Sequence, residues 1–265
     1  MAEMVPAKKT MMTVVETLQS PQMLAQLKMA LPKHVTAERL ARIALTQLRQ
    51  TPKLLECTRE SLLGAIMQCA QLGLEPGTLG QCWLIPYGKE ATFILGYRGM
   101  CQLAWRSSQI SSIAARAVFE GDVFAYDFGT DELKHQPGGI TDPAKLTHAY
   151  AIVRTANGGR LWDVMTRGEI EAIRKRSRAG ESGPWKTDAA EMWKKTVMRR
   201  LFKIAPLSAE LQTALALDEA ADQGISQGLD FDLPEPERDV TPPKTDPKPE
   251  TKNEGAAEPA QQSLT

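Results

Sequence analysis

The first third of the chain carries apolar residues at helical spacing, bounded by residues that suit helix ends. Thr36 and Thr58 are good N-caps, because a threonine hydroxyl accepts a hydrogen bond from the first turn of a helix. Gly73 suits a helix end, since glycine adopts left-handed backbone at little cost. Together these signals predict helices over residues 21–31, 37–50 and 59–72.

The middle of the chain changes to short runs of β-branched and aromatic residues, which favour strands. Gly88-Lys89-Glu90 makes a short turn between two such runs, and Asn157-Gly158 is a strong hairpin signal between two others. The predicted strands cover residues 81–87, 91–96, 110–120, 123–128, 146–155 and 160–165. The remaining predicted helices cover 98–107, 166–178, 184–203 and 207–221. This order predicts an α+β fold, with an antiparallel β-meander packed on helices.

The segment Pro184–Lys203 predicts a helix with one apolar face and one cationic face. Its apolar face consists of Ala190, Trp193, Val197 and Leu201. Its cationic face consists of Lys195, Arg199 and Lys203, with Lys194 and Arg200 beside it. Because a helix rises about 1.5 Å per residue, the spacing puts a cation roughly every 6 Å. We expect this row to face solvent and to hold the phosphates of a nucleic-acid strand.

The net charge of zero hides an asymmetry along the chain. Met1–Leu217 holds 28 Lys and Arg against 20 Asp and Glu, whereas Asp218–Thr265 holds 4 against 12. A basic body with an acidic tail is a common arrangement in proteins that handle nucleic acid. The tail is rich in proline and charge and is predicted to be disordered. The predicted division is an N-terminal helical arm over 1–33, a DNA-binding core over 34–221 and the tail over 222–265.

Motifs for nucleotide binding and for nucleophilic catalysis are missing from the sequence. It has neither the phosphate-binding pattern G-x-x-x-x-G-K-[ST] nor G-x-G-x-x-G, and it has no G-x-S-x-G. Its four cysteines lack the spacing of a zinc site and are interpreted as buried thiols in a reducing compartment. No apolar run approaches the roughly 18 residues of a membrane span, so a cytoplasmic location is expected.

Two other function classes stay open from the residues alone. The acidic patch of Asp122, Asp127, Asp131 and Glu132 fits either a solvated loop or the divalent metal of a nuclease. A sequence-specific DNA-binding regulator is the second alternative, although no helix-turn-helix spacing is found. Among the aromatic residues, Trp185 is the one expected to be exposed, whereas Trp105, Trp162 and Trp193 are expected in the core.

Several uncommon runs of the sequence resemble the RecT family of phage single-strand DNA annealing recombinases. These runs are Ala30–Arg39, Gln71–Gly77, Leu95–Met100, Arg116–Asp122, Gly183–Trp185 and Glu191–Lys203. The resemblance implies ATP-independent annealing of complementary strands, assembly into rings or helical filaments, and a core with a β-meander on a long helix. It also implies a bacterial cell as the setting, with a phage or prophage as the source of the gene.

The site expected from the basic elements and from this resemblance binds DNA and has no catalytic or metal-ligating residues. Its candidate DNA-binding residues are Lys194, Lys195, Arg199, Arg200, Lys203, Arg98, Arg106, Arg174, Arg178 and Trp185. No cofactor is expected to be required, with Mg²⁺ modulating DNA binding. The expected partners are single-stranded DNA, the annealed duplex and further copies of the chain. A partner exonuclease or a host single-strand-binding protein is a further candidate partner.

Overall fold

The computed structural model describes residues 14–233 and shows an α+β fold, as predicted. Residues 14–19 are helical, and the α-helices that follow are α1 (Pro21–Ala30), α2 (Ala37–Gln50), α3 (Arg59–Leu72), α4 (Tyr97–Arg106), α5 (Arg167–Arg176), α6 (Pro184–Thr187), α7 (Ala189–Leu201) and α8 (Ala209–Gln223). The strands are β1 (Cys82–Tyr87), β2 (Glu90–Leu95), β3 (Ile110–Phe119), β4 (Val123–Asp127), β5 (Glu132–Gln136), β6 (Leu146–Thr155) and β7 (Arg160–Thr166).

The N-terminal helices begin and end where their capping residues predict. The hydroxyl oxygen of Thr36 accepts a hydrogen bond from the Arg39 N–H at 3.3 Å, and that of Thr58 accepts one from the Ser61 N–H at 3.3 Å. Gly73 ends α3 in left-handed backbone, with φ 57°. These local signals therefore position the helical layer correctly.

The strands form three separate antiparallel sheets. β1 pairs with β2, β4 pairs with β5, and a three-stranded sheet has the order β3-β6-β7. The hairpin β4–β5 is inserted between β3 and β6, so the meander is interrupted. Strand β5 lies where the sequence suggested only an acidic loop.

Helix α7 packs on one face of the three-stranded sheet. Its apolar residues Trp193, Val197 and Leu201 are buried, as predicted, in the same core as Ala149 and Ala151 of β6. The small alanine side chains let the helix lie close to the strand. Burying a valine or leucine fully contributes about 1.5–3 kcal/mol relative to leaving it exposed, so this contact fixes the helix firmly.

The β4–β5 hairpin covers the opposite face of the sheet. Phe124 stacks on Tyr150 with ring centroids 5.8 Å apart, and Phe128 stacks on Trp162 at 4.7 Å. At the base of the hairpin, the buried Asp122 carboxylate accepts a hydrogen bond from the Gly138 N–H at 2.6 Å. The hairpin is thus fastened at both its tip and its base.

Residues 224–233, which fall within the predicted tail, pack against the core, with Leu229, Phe231 and Leu233 half-buried. The Gln227 side chain accepts a hydrogen bond from the Phe93 N–H at 2.8 Å and donates one to the Phe93 carbonyl at 2.7 Å. The backbone of Leu229 runs so close to α3 that a Cβ at Gly64 would lie 1.1 Å from the Leu229 carbonyl oxygen. Residues 234–265, the rest of the predicted tail, lie outside the described residues.

Candidate nucleic-acid interface

The basic segment forms two helices instead of the single helix predicted. Helix α6 ends at Thr187, and Asp188 has φ −139° and ψ 48°, which is not helical backbone. The Thr187 hydroxyl donates a hydrogen bond to the Asp188 carboxylate at 2.5 Å. Aspartate favours helix ends because its side chain competes for local hydrogen bonds. Lys203 lies beyond the end of α7.

The cationic face of α7 is turned toward α8 and not toward solvent, so the predicted orientation is wrong. Lys195 and Arg199 each contact the Asp218 carboxylate at 3.1 Å, and Arg199 also pairs with Asp222. Carboxylates four residues apart on α8 match cations four residues apart on α7. The Lys195 and Arg199 side chains are only 13% and 15% exposed.

Asp218 is the centre of this network and is itself buried, with 1% of its side chain exposed. Its carboxylate also accepts a hydrogen bond from the Leu95 N–H at 3.0 Å, which ties α8 to β2. Burial would lower the pKa of Arg199, but Asp218 and Asp222 raise it above its usual value. Arg199 therefore stays charged inside the fold, paired with both carboxylates.

The other three cations predicted for the cationic face are also paired. Arg200 forms a bidentate interaction with Asp163, at 2.5 and 2.7 Å, and contacts Glu169 at 2.7 Å. Hydrogen bonding to Asp163 raises the pKa of Arg200 above its usual value. Lys194 pairs with Glu191, and Lys203 contacts Glu219 at 3.3 Å with 60% of its side chain exposed. Of the five cations, Lys203 is the most accessible to a ligand.

Two of the arginines outside this segment have structural contacts. Arg106 donates to the carbonyl oxygens of Leu72 and, at 2.6 Å, of Gly73, so it caps the end of α3. The Arg178 guanidinium lies over the ring of Tyr87, 3.9 Å from its centroid. These contacts bring neither arginine into a row with the cations of α7.

Trp185 and Trp105 each show the opposite exposure to that predicted. Trp185 is buried, with 4% exposure, whereas Trp105 is 57% exposed. Both predictions were wrong, because Trp185 packs into the core under α7 while Trp105 lies on the outer side of α4. Trp162 and Trp193 are buried as predicted.

Arg174 and Trp185 are candidate residues that line the same groove. They line a groove of about 360 Å³ between α5, α6 and α7, here called the α5–α7 groove. Its lining residues are Pro143, Ala144, Leu146, Arg167, Glu171, Arg174, Trp185, Lys186, Ala189 and Trp193. Arg167, Arg174 and Lys186 give the groove three cations against the single carboxylate of Glu171.

The cations of the α5–α7 groove differ in how firmly they are held. Arg174 is tied down by a hydrogen bond to the Gly180 carbonyl at 2.8 Å and by ion pairs at 3.5 Å to Glu171 and 3.7 Å to Glu181. Arg167 contacts only the Ala144 carbonyl, and Lys186 has no partner among residues 14–233. Lys186 could not be placed beside Arg174 from the sequence, because only the folded chain brings α5 and α6 together.

The acidic patch does not form a metal site. Asp122 is bound by backbone N–H groups and by His135, whose Nε2 lies 3.0 Å from its carboxylate. Across the described part of the chain, no three His, Cys, Asp or Glu side chains converge as metal ligands would. Residues 14–233 also include no helix with the length and apolar character needed to cross a membrane.

Comparisons with known proteins assign the chain to a family. A family model described as RecT family matches residues 38–230. The chain belongs to the RecT family. It is 49% identical over 224 residues to Protein RecT of Escherichia coli strain K12, covering 81% of this chain and 83% of that protein. It is also 29% identical over 223 residues to the uncharacterized protein YqaK of Bacillus subtilis strain 168, covering 83% and 77%.

The RecT family assignment confirms the resemblance seen in the sequence. It places the chain among DNA recombination and annealing proteins, and no catalytic site is seen within residues 14–233. The matched region runs from α2 to α8 and includes the segment that follows α8 as far as Asp230. The packed segment after α8 is therefore part of the family's common region.

Proposed function

We propose that this chain anneals complementary single strands of DNA without ATP. Its membership of the RecT family carries the proposal. The sequence supplies no phosphate-binding loop for ATP, which agrees with a reaction driven by base pairing. Stacked base pairs supply about 1.4 kcal/mol per step, so the protein needs only to hold strands and release them as duplex.

We infer that the α5–α7 groove holds the backbone of one strand. Three cations line it, and two of them, Arg167 and Lys186, are exposed and bear no ion pair to a described residue. Contacts to phosphates fix a strand without reading its sequence, which suits a protein that must anneal any pair of complementary strands. Trp185 is buried, so its ring is not available to stack on the bases. The groove would therefore leave the bases free to pair.

The other parts of the proposal rest on the family. We infer that copies of the chain assemble on DNA as rings or helical filaments and need no cofactor, with Mg²⁺ modulating DNA binding. We place the reaction in the cytoplasm of a bacterial cell, with a phage or prophage as the source of the gene. A partner exonuclease or a host single-strand-binding protein completes the set of proposed partners.

Annealing without a nucleotide is the direct test of the proposed function. Two complementary oligonucleotides, one with a fluorophore and one with a quencher, should pair faster with the protein than without it. The acceleration is expected to be the same with and without ATP. An absolute requirement for ATP, or cleavage of the labelled strand in Mg²⁺ or Mn²⁺, would contradict the proposal. Equal acceleration for unrelated sequences would separate annealing from sequence-specific regulation.

Removing two cations of the α5–α7 groove is expected to weaken DNA binding. Arg167→Ala combined with Lys186→Ala should reduce the slope of log K against log salt by about 0.7 for each lost phosphate contact. The loss should be similar for unrelated sequences, as measured by fluorescence anisotropy across a salt series. Arg49→Ala with Lys53→Ala removes the same charge from exposed positions in the N-terminal helical region and serves as the control. Equal slopes for the two double variants would show that DNA lies elsewhere.

A further inference from the structure

The tip of the β4–β5 hairpin carries an exposed aromatic side chain and two carboxylates that form no ion pair with residues 14–233. Phe128 is 60% exposed, although one face of its ring stacks on Trp162. Asp127 and Glu132 lie directly opposite each other in the register of β4 and β5. Like charges directly opposite each other destabilise a strand pair. We call Phe128 with Asp127 and Glu132 the hairpin tip.

Neither carboxylate of the hairpin tip is neutralised by the described part of the chain. Glu132 has no hydrogen bond or ion pair to residues 14–233, and Asp127 accepts only the N–H groups of its own turn. Lys134 lies on the same face of β5 but makes no ion pair with a described residue. The tip therefore combines apolar surface with negative charge that a partner of opposite charge would stabilise.

An apolar groove with one unpaired cation lies on another element of the same chain. We call it the α4 groove, and its walls include Leu79, Tyr97, Cys101 and Trp105. Leu79 and Trp105 are 45% and 57% exposed. Arg98 lies in this groove, is exposed, and has no partner among residues 14–233. The groove measures about 490 Å³ and so offers room for an aromatic side chain.

We propose that the hairpin tip of one copy docks into the α4 groove of a second copy. Phe128 would fill the apolar groove beside Trp105, and Arg98 would pair with the carboxylates of the tip. Aromatic pairs contribute about 0.5–1.5 kcal/mol beyond the free energy of burying their surface. A desolvated arginine–carboxylate pair fixes how the two surfaces are oriented. Both surfaces carry charge that residues 14–233 of the single chain leave uncompensated, and the charges are opposite. This interface rests on the self-assembly included in the proposed function.

The composition of the α4 groove favours a protein over DNA as its occupant. A groove for a phosphate backbone needs several cations, whereas this one holds a single unpaired arginine between apolar walls. The hairpin tip has an exposed aromatic ring for the apolar walls and two carboxylates for the arginine. DNA in the α4 groove is therefore treated as the competing outcome of the test.

An interface between two different surfaces repeats in one direction from copy to copy. Such head-to-tail contacts form a ring when the rotation closes and a helical filament when it does not. Each inner copy would use its tip and its groove at the same time. The proposed contact thus has the symmetry needed for both assemblies inferred above.

The test exchanges the two charges across the interface. Arg98→Glu and Glu132→Arg are each expected to lower the association constant between copies roughly tenfold, because each variant faces like charge with like charge. The full-length chain carrying both substitutions should regain assembly. Mass photometry and electron microscopy, with and without complementary oligonucleotides, report the size of the complexes. Arg49→Glu, an exposed reversal with no partner among the described residues, is the control.

Mixing variants checks the direction of the contact. Arg98→Glu has a damaged groove and an intact tip, whereas Phe128→Ala has a damaged tip and an intact groove. An equimolar mixture should therefore form pairs and nothing longer. Normal assembly of both single charge variants, or failure of the exchanged variant to recover while it remains folded, would overturn the proposal.

A short oligonucleotide that accommodates one copy separates this interface from DNA binding. Trp105→Ala, which damages the α4 groove without removing a cation, should bind it with the same affinity as the unaltered chain. Weaker binding to that oligonucleotide would assign the α4 groove to DNA and overturn the interface. If the unaltered chain anneals DNA but its variants assemble normally, only the interface fails. If the unaltered chain neither anneals nor assembles, the proposed function itself fails.

Discussion

Replacing Asp218 with alanine is expected to lower the free energy of unfolding by about 3–5 kcal/mol. The substitution leaves Lys195 and Arg199 as largely buried cations without this partner, and it leaves the Leu95 N–H without an acceptor. Removing one member of a buried ion pair costs more than the pair contributes, because the remaining charge stays desolvated. Urea denaturation followed by tryptophan fluorescence measures the change.

Glu219→Ala is the matched control for Asp218→Ala. Glu219 is the next residue on α8 and contacts Lys203, but both side chains are substantially exposed. An exposed ion pair contributes about 0–1 kcal/mol, so this variant should unfold close to the unaltered chain. Similar stability for the two variants would mean that the Asp218 network is as solvated as the exposed pair.

The same network changes how substitutions on α7 must be interpreted. Lys195→Ala with Arg199→Ala, which would test DNA binding if the cationic face pointed to solvent, would leave Asp218 buried without either cation. Loss of DNA binding in that variant would therefore be expected from loss of structure alone. The exposed residues Arg167 and Lys186 allow DNA binding to be tested with less risk to the fold.

The helix ends and most of the strands could be predicted because their signals are local. Thr36, Thr58 and Gly73 act within one turn of the residues that they cap. The Asn157-Gly158 turn likewise fixes the hairpin of β6 and β7 between neighbouring residues. Where a few adjacent residues determine the backbone, the sequence is enough to place the element.

The orientation of the cations on α7 could not be predicted, because it depends on a residue far along the chain. Periodicity identifies the apolar face that packs on the sheet, and it leaves the opposite face to solvent by default. In the fold that opposite face is covered by α8, whose Asp218 and Asp222 supply the charges that neutralise it. Because α7 is packed on two sides, only contacts between residues far apart in the sequence show what covers its second side.

The charge asymmetry along the chain has a related explanation. Five of the twelve carboxylates counted in the tail precede residue 234 and lie within the described structure. They are Asp218, Glu219, Asp222, Asp230 and Asp232. Three of them pair with cations of the basic segment. Residues 234–265 hold the other seven carboxylates and four cations, so the tail is less acidic than the division at residue 217 suggested.

Truncation at two positions is expected to give opposite results. A chain ending at Leu217 should fail to fold cooperatively, because it loses Asp218, the rest of α8 and the Gln227 contacts to Phe93. A chain ending at Leu233 keeps all of these contacts and should retain its unfolding temperature. It should also retain DNA annealing, since the α5–α7 groove remains complete. Calorimetry and the quenching assay together measure both properties.

The two truncated chains also show whether residues 234–265 affect DNA binding independently of the fold. Residues 234–265 carry a net charge of −3, and their removal should leave binding equal or tighter at low salt, where repulsion from DNA is least screened. The DNA affinities of the full chain and of the chain ending at Leu233 should converge as salt rises.

Gln227→Ala in the full chain is a milder control, which should lower stability without removing any charge. Full stability of the chain ending at Leu217 would show that the segment after Leu217 does not hold the core together. Loss of DNA binding by a folded chain ending at Leu233 would instead place the tail within the binding site.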